Sequence, residues 1–182
     1  MAKNYTYVDN SNVFIEGSRV SAVVKGLPGA ATIIDAMNNG VVDHAWQIDY
    51  GSLHQIVCGS PSEIGAANLW GSPPPGDSFW KMVEQYGFEV TTFQRSVAGK
   101  EKKVDVAIAH QMTKDAYTGV VKKGLDTMTL LTGDKDFVSV VEDLVANGFL
   151  VDVVFWDHAG GELKKAATQF VNLNPHLATL TK

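Results

Sequence analysis

Short apolar runs rich in β-branched residues alternate along this chain with stretches of helical period, and no other feature constrains the fold as tightly. The strand-like runs fall at about Asn4 to Val8, Ala66 to Gly71, Phe88 to Phe93, Thr127 to Leu131 and Val151 to Trp156. Between and after them, apolar residues recur at helical spacing: Leu53, Ile56 and Val57, then Val104, Ile108 and Met112. Phe137, Val140, Val141, Leu144 and Val145 come next, and Leu163, Ala166, Ala167 and Phe170 predict a last helix. A helix between two strands makes a crossover, and crossovers join parallel strands. The sheet is therefore expected to be mostly parallel and covered on both faces, in an α/β fold. A chain of 182 residues buries one sizeable core, so residues 1–182 are expected to form one domain.

Turn chemistry sets the boundaries. Asp49 is placed to cap a helix running to about Cys58. The run Ser72-Pro73-Pro74-Pro75-Gly76-Asp77 excludes any regular element, so Asp77 or Ser78 is expected to cap the next helix, through Tyr86, with Gly87 as its stop. Asn147-Gly148 ends the helix that starts near Phe137. From Ser18 to Trp46 the chain is rich in Gly, Ala, Val and Asn, and its periodicity does not choose between helix, hairpin and irregular structure. We read 18–46 as an insertion, available to cover the sheet, to cap a site or to pair with a second chain in a homodimer.

Several function classes fall away. No apolar stretch approaches the ~20 residues that cross a bilayer, so no membrane partner is expected. Met1-Ala2-Lys3-Asn4 leads straight into a strand, without the apolar segment of a secretory signal, and Cys58 is the lone cysteine. Both features fit a cytoplasmic location. A formal net charge of -5 argues against a surface that attracts nucleic acid over its whole extent. Acids gathered around bound cations would reverse that sign locally.

Ligands of open parallel sheets sit beyond the carboxyl ends of the strands. Asp9 follows the first strand there, and Asp134 and Asp136, in Thr132-Gly133-Asp134-Lys135-Asp136-Phe137, follow the Thr127 strand. Asp105 opens the helix after the Lys100 to Asp105 segment, on the same edge. Carboxylates brought that close repel unless a cation offsets them, and oxygen-only ligation suits Mg²⁺ or Mn²⁺ better than zinc. A competing reading makes each acid a helix cap or a first-turn residue favoured by the helix dipole. Coincidence of location on one edge favours the functional reading. Lys100, Lys102, Lys103 and Arg95 are candidates for phosphate contacts, and Trp70 and Trp80, flanking the proline run, for stacking on unpaired bases.

Three segments in order carry a family resemblance: Asp9-Asn10-Ser11-Asn12, Lys103-Val104-Asp105-Val106-Ala107-Ile108-Ala109, and Leu130-Leu131-Thr132-Gly133-Asp134-Lys135-Asp136-Phe137. With the Val151 to Phe155 strand and the Glu162 to Phe170 helix, the chain resembles the NYN domain, LabA-like branch, of the PIN-like nuclease superfamily. The resemblance implies a Mg²⁺- or Mn²⁺-dependent endoribonuclease on a Rossmann-like, PIN-like three-layer sandwich, acting on single-stranded or structured RNA. Asp9, Asp105, Asp134 and Asp136 would then be the catalytic, metal-binding acids. Asn12 would assist near the first strand, and Thr132 would orient a carboxylate or water. Two departures stand out: His110-Gln111 replaces an Asp often found after the helix-opening Asp, and Thr168 stands where many members have another acid. The alternative is a noncatalytic RNA- or protein-binding module. A small-molecule phosphatase is disfavoured because Asp9-Asn10-Ser11-Asn12 lacks an Asp-x-Asp pair. No residue marks itself as a reader of the 2′-hydroxyl, so DNA stays open as a substrate.

Overall fold

The computed structural model describes residues 1–72, 76–93 and 102–182, with Lys102 and Lys103 described by backbone alone. The apolar runs become β1 (Asn4–Asp9), β2 (Ile64–Gly71), β3 (Glu89–Thr92), β4 (Thr127–Leu131) and β5 (Leu150–Phe155), joined by β6 (Gln169–Asn172). They form one six-stranded sheet in the order β3-β2-β1-β4-β5-β6, and every pairing is parallel. In β1, Tyr5 lies opposite both Ala66 of β2 and Met128 of β4. Strand order reverses between β1 and β4, which opens a crevice at the carboxyl ends of that pair.

Seven helices cover the sheet among the described residues: α1 (Asn10–Val24), α2 (Ile33–Asn38), α3 (Tyr50–Cys58), α4 (Asp77–Gln85), α5 (Lys102–Tyr117), α6 (Val138–Ala146) and α7 (Gly161–Ala166). Successive side chains of a strand point to opposite faces, and each face builds its own core. Val8, Leu69 and Leu131 face Val13, Trp46, Leu53 and Val83, under α1, α3 and α4. Their neighbours Tyr7, Trp70 and Leu130 face Val104, Ile108, Met112, Val141 and Leu163, under α5, α6 and α7. This is the three-layer α/β sandwich expected from the alternation. Among the described residues no helix is long and apolar enough to cross a membrane.

Several expectations change. The segment 18–46 contains the second half of α1, a turn and α2, where Thr32 and Asp35 form a capping box. Residue Asp49 does cap α3, accepting the Ser52 N–H at 2.9 Å. The N-cap of α4, by contrast, is Gly76 without a side-chain bond, and Asp77 is the first helical residue, where the dipole favours its charge. The helix predicted through Phe170 stops at Ala166, because the open edge of β5 recruits the next residues of the chain. Thr168 N–H donates to the Val151 carbonyl at 2.7 Å, its hydroxyl accepts the Val151 N–H at 3.0 Å, and Phe170 pairs with Val153. Trp70 and Trp80 are each only 6% exposed, Trp70 parallel to Tyr7 at 6.2 Å, so neither is a stacking platform for RNA. Cys58 is buried, and burial pushes its thiol up to about 11, away from reactivity at neutral pH.

Candidate active site at the reversal of strand order

β1 passes into α1 without a loop. Asp9, the last strand residue, has extended backbone angles and accepts the Asn12 N–H on Oδ1 at 3.1 Å, satisfying one of the orphan donors of the first turn. It is only 5% exposed. The tight turn carries Asn12 across the crevice to the end of β4. There its Oδ1 accepts both the Thr132 hydroxyl at 3.1 Å and the Gly133 N–H at 2.8 Å. Thr132 Oγ1 in turn accepts the Asp134 N–H at 3.2 Å, and Asp134 Oδ1 accepts the Asp136 N–H at 2.9 Å. One asparagine thus ties together the carboxyl ends of the two central strands.

Glycine at position 133 is favoured by space: an added Cβ would collide with the Phe155 ring from β5 unless that ring moved. Downstream, Lys135–Phe137 forms a short 3-10 turn capped by Asp134 before α6 begins. Asp136 is exposed on that turn, while Phe137 anchors it in the core. Asp105, in the first turn of α5, shares with Asp136 a cavity of about 250 Å³ floored by Phe137 and Ala109.

The four candidate acids are therefore distributed around one edge. Asp105 and Asp136 line one cavity, Asp134 caps the turn that carries Asp136, and Asp9 caps α1 beside Asn12. Their all-oxygen donor set fits a hard divalent cation in kind. In arrangement the structure brings only Asp105 and Asp136 into one cavity, and among the described residues no group of three or more His, Cys, Asp and Glu is gathered as a metal site. The cap role weighed against the metal role is thus realised at Asp9 and Asp134. Lys100 and Arg95 lie outside the described residues, as do the side chains of Lys102 and Lys103.

The two departures from the family pattern lie away from this edge. Thr168 bonds Val151 near the start of β5, at the opposite end of the sheet. Gln111 donates to Asp115 Oδ1 at 2.8 Å, helping to hold the acid that also receives the Tyr7 hydroxyl at 2.9 Å. Sequence reasoning missed a different group at the crevice. One turn beyond Asn12 on α1, Glu16 pairs with Arg19 and with His158 Nε2, the latter at 2.7 Å. His158 sits in the loop after β5, beside Gly160, which approaches the Gly133 carbonyl. The contact joins residues 142 positions apart, and no local spacing announces it.

The sequence matches the family described as NYN domain over residues 10–174. A crystal structure of a protein of unknown function from Vibrio parahaemolyticus is similar at a TM-score of 0.65, covering 94% of this chain and 93% of that one. At 19% identity this likeness speaks to the fold alone. No curated protein matches the chain at a significant level.

Proposed function

The chain belongs to the NYN domain family, a group of PIN-like, nuclease-type domains, and from that premise we propose that it is a metal-dependent endoribonuclease hydrolysing RNA phosphodiester bonds. The observation that supports the proposal is that three separate segments bring acids to the carboxyl-end edge of the sheet: Asp9 ends β1, Asp134 and Asp136 follow β4, and Asp105 shares a cavity with Asp136. Asp9, Asp105, Asp134 and Asp136 would hold Mg²⁺ or Mn²⁺. Such an ion supplies Lewis-acid polarisation of a phosphoryl oxygen and lowers the pKa of a bound water.

The chain's own residues supply order. Asn12 and Thr132 fix the β4 end to α1, so the Asp134 carboxylate is presented from a backbone that has no slack. Asp136 and Asp105 line a shared hollow from two elements, where both would be available to hold such an ion. Lys100, just before α5, and Lys102 and Lys103, its first residues, are proposed phosphate contacts, and the proposed cytoplasmic location suits an RNA substrate. The segment 18–46 is proposed to be an insertion in a single domain.

A second reading has its own support. Asp9 and Asp134 each spend one oxygen on a cap, and among the described residues no three potential metal ligands are gathered, which suits a noncatalytic RNA- or protein-binding module. Purified full-length chain, Mn²⁺ and labelled single-stranded RNA separate the two. Cleavage that is abolished both by EDTA and by Asp134→Asn is the expected result for the enzyme. Binding without cleavage across several RNAs would sink it in favour of the module.

A further inference from the structure

Beside the acid crevice, on the β2 side of β1, lies a larger cavity of about 430 Å³ between α1, α3 and α4. We propose that it holds the base of an unpaired nucleotide flanking the phosphodiester handled by the acids; this rests on the ribonuclease reading above. The volume is at the lower end of the range for small-molecule sites, about 300–1,000 Å³, so it admits one ring system and its sugar rather than a helix. A base entering it must be out of any duplex stack.

The walls suit a planar aromatic ligand. Phe14 and Ile15 of α1 line it at 39% and 40% exposure, facing Phe79 and Met82 of α4. Phe79 is fixed edge-on against Tyr50, ring centroids 5.5 Å apart, and Phe14 leans on Trp46 at 5.8 Å. Rings held in this way lose little freedom when a base stacks on them.

A buried polar group specifies the occupant further. Asn10 is 8% exposed and lines the cavity. The Tyr50 hydroxyl donates to its Oδ1 at 2.7 Å, and burial pushes that phenol up, so it remains a donor at neutral pH. The bond fixes the amide's orientation. Its Nδ2 donors are left as the half that no protein group accepts from among the described residues. An apolar side chain inserted by a partner protein would leave those donors unanswered, at a desolvation cost, whereas a base edge offers carbonyl and ring-nitrogen acceptors. Lys182 also lines the cavity, its N–H donating to the Gln47 carbonyl at 3.0 Å. Placement agrees with chemistry: Asn10 directly follows Asp9, about 4 Å along the chain, so pocket and crevice share one wall.

The test reads binding without turnover. Full-length protein in EDTA buffer is titrated with a short fluorescent single-stranded RNA, and with the same RNA carrying one abasic position. Phe14→Ala is expected to weaken binding about tenfold, with its circular dichroism unchanged. An abasic position should cost wild type a similar factor and cost Phe14→Ala little more. Equal affinity for both RNAs, or full affinity in both Phe14→Ala and Phe79→Ala, overturns the pocket. Cleavage with Mn²⁺ is scored in parallel. Base-indifferent binding with cleavage removes the pocket and leaves the ribonuclease. Base-dependent binding without cleavage does the reverse, and wild type that binds no RNA overturns both.

Discussion

Where β4 begins, Asp126 is 1% exposed and both of its carboxylate oxygens are taken: Oδ1 by the Lys3 N–H at 2.9 Å, Oδ2 by the Lys122 N–H at 2.8 Å. Where β4 ends, Asp134 is half-buried and gives one oxygen to the Asp136 N–H, while Asp136 is exposed and its carboxylate accepts no hydrogen bond among the described residues. Asp115 repeats the first pattern, with Tyr7 on one oxygen and Gln111 on the other. The same side chain thus serves two purposes in one molecule. Saturated, it holds the chain to itself; with oxygen lone pairs to spare, it is available for chemistry.

Mutations at the two ends should separate stability from turnover. The largest expected effect is on cleavage: Asp134→Asn should lower the Mn²⁺-dependent rate at least about 10³-fold, with unfolding stability changed by less than about 0.5 kcal/mol. A stability loss as large as that of an Asp126 variant would mean the two ends are alike. Next in size, Asp126→Ala should remove about 3 kcal/mol in urea melts, because two backbone donors lose their acceptor. Gly133→Ala should come third at about 2 kcal/mol, since Phe155 must yield to the new methyl group. It sharpens the contrast by disturbing the Asn12 tie, so cleavage should fall with stability. Tyr7→Phe, which takes one partner from Asp115, should cost about 1 kcal/mol and leave cleavage intact.

The smallest effect is a pH dependence. Asp43 is held below the usual aspartate value of 3.8, first by its hydrogen bond from Lys25 and then by that from Ser21. Its stabilisation is therefore fully present above the unfolded-state value and is lost as pH falls through the lower folded value. In urea melts, wild type should exceed Asp43→Asn at pH 6, and the gap should close on acidifying below about pH 4. A gap that persists in acid would show that Asp43 acts other than through its charge.

The strand ends that position Asp9 and Asp134 are readable from the chain because β-branched and apolar runs stop there at polar residues. α1 is not readable in this way. It buries Asn10, Gly17, Ser18, Ser21 and Ala22 along with Val13 and Val20 while Val24 is exposed, and a Cβ at Gly17 would strike Trp46 and Trp156. A helix that packs small and polar residues against bulky partners shows no hydrophobic stripe. β6 is hidden for the opposite reason: as a half-exposed edge strand, its Phe170 falls by chance at helical spacing from Leu163. The side-chain ties that build the crevice and the pocket, Asn12 to Gly133 and Asn10 to Tyr50, are tertiary, and neither partner's local sequence encodes the other.

The central position of β1 also has a consequence for biogenesis. A ribosome releases residues 4–8 long before residues 127–131, their neighbours on one flank. During that interval β1 can acquire only its β2 side, and the nascent chain carries an open, apolar ladder edge that invites chaperone capture or mispairing. Maturation of the crevice is thus a late event in synthesis, timed by the emergence of β4 rather than by the segment that contributes Asp9.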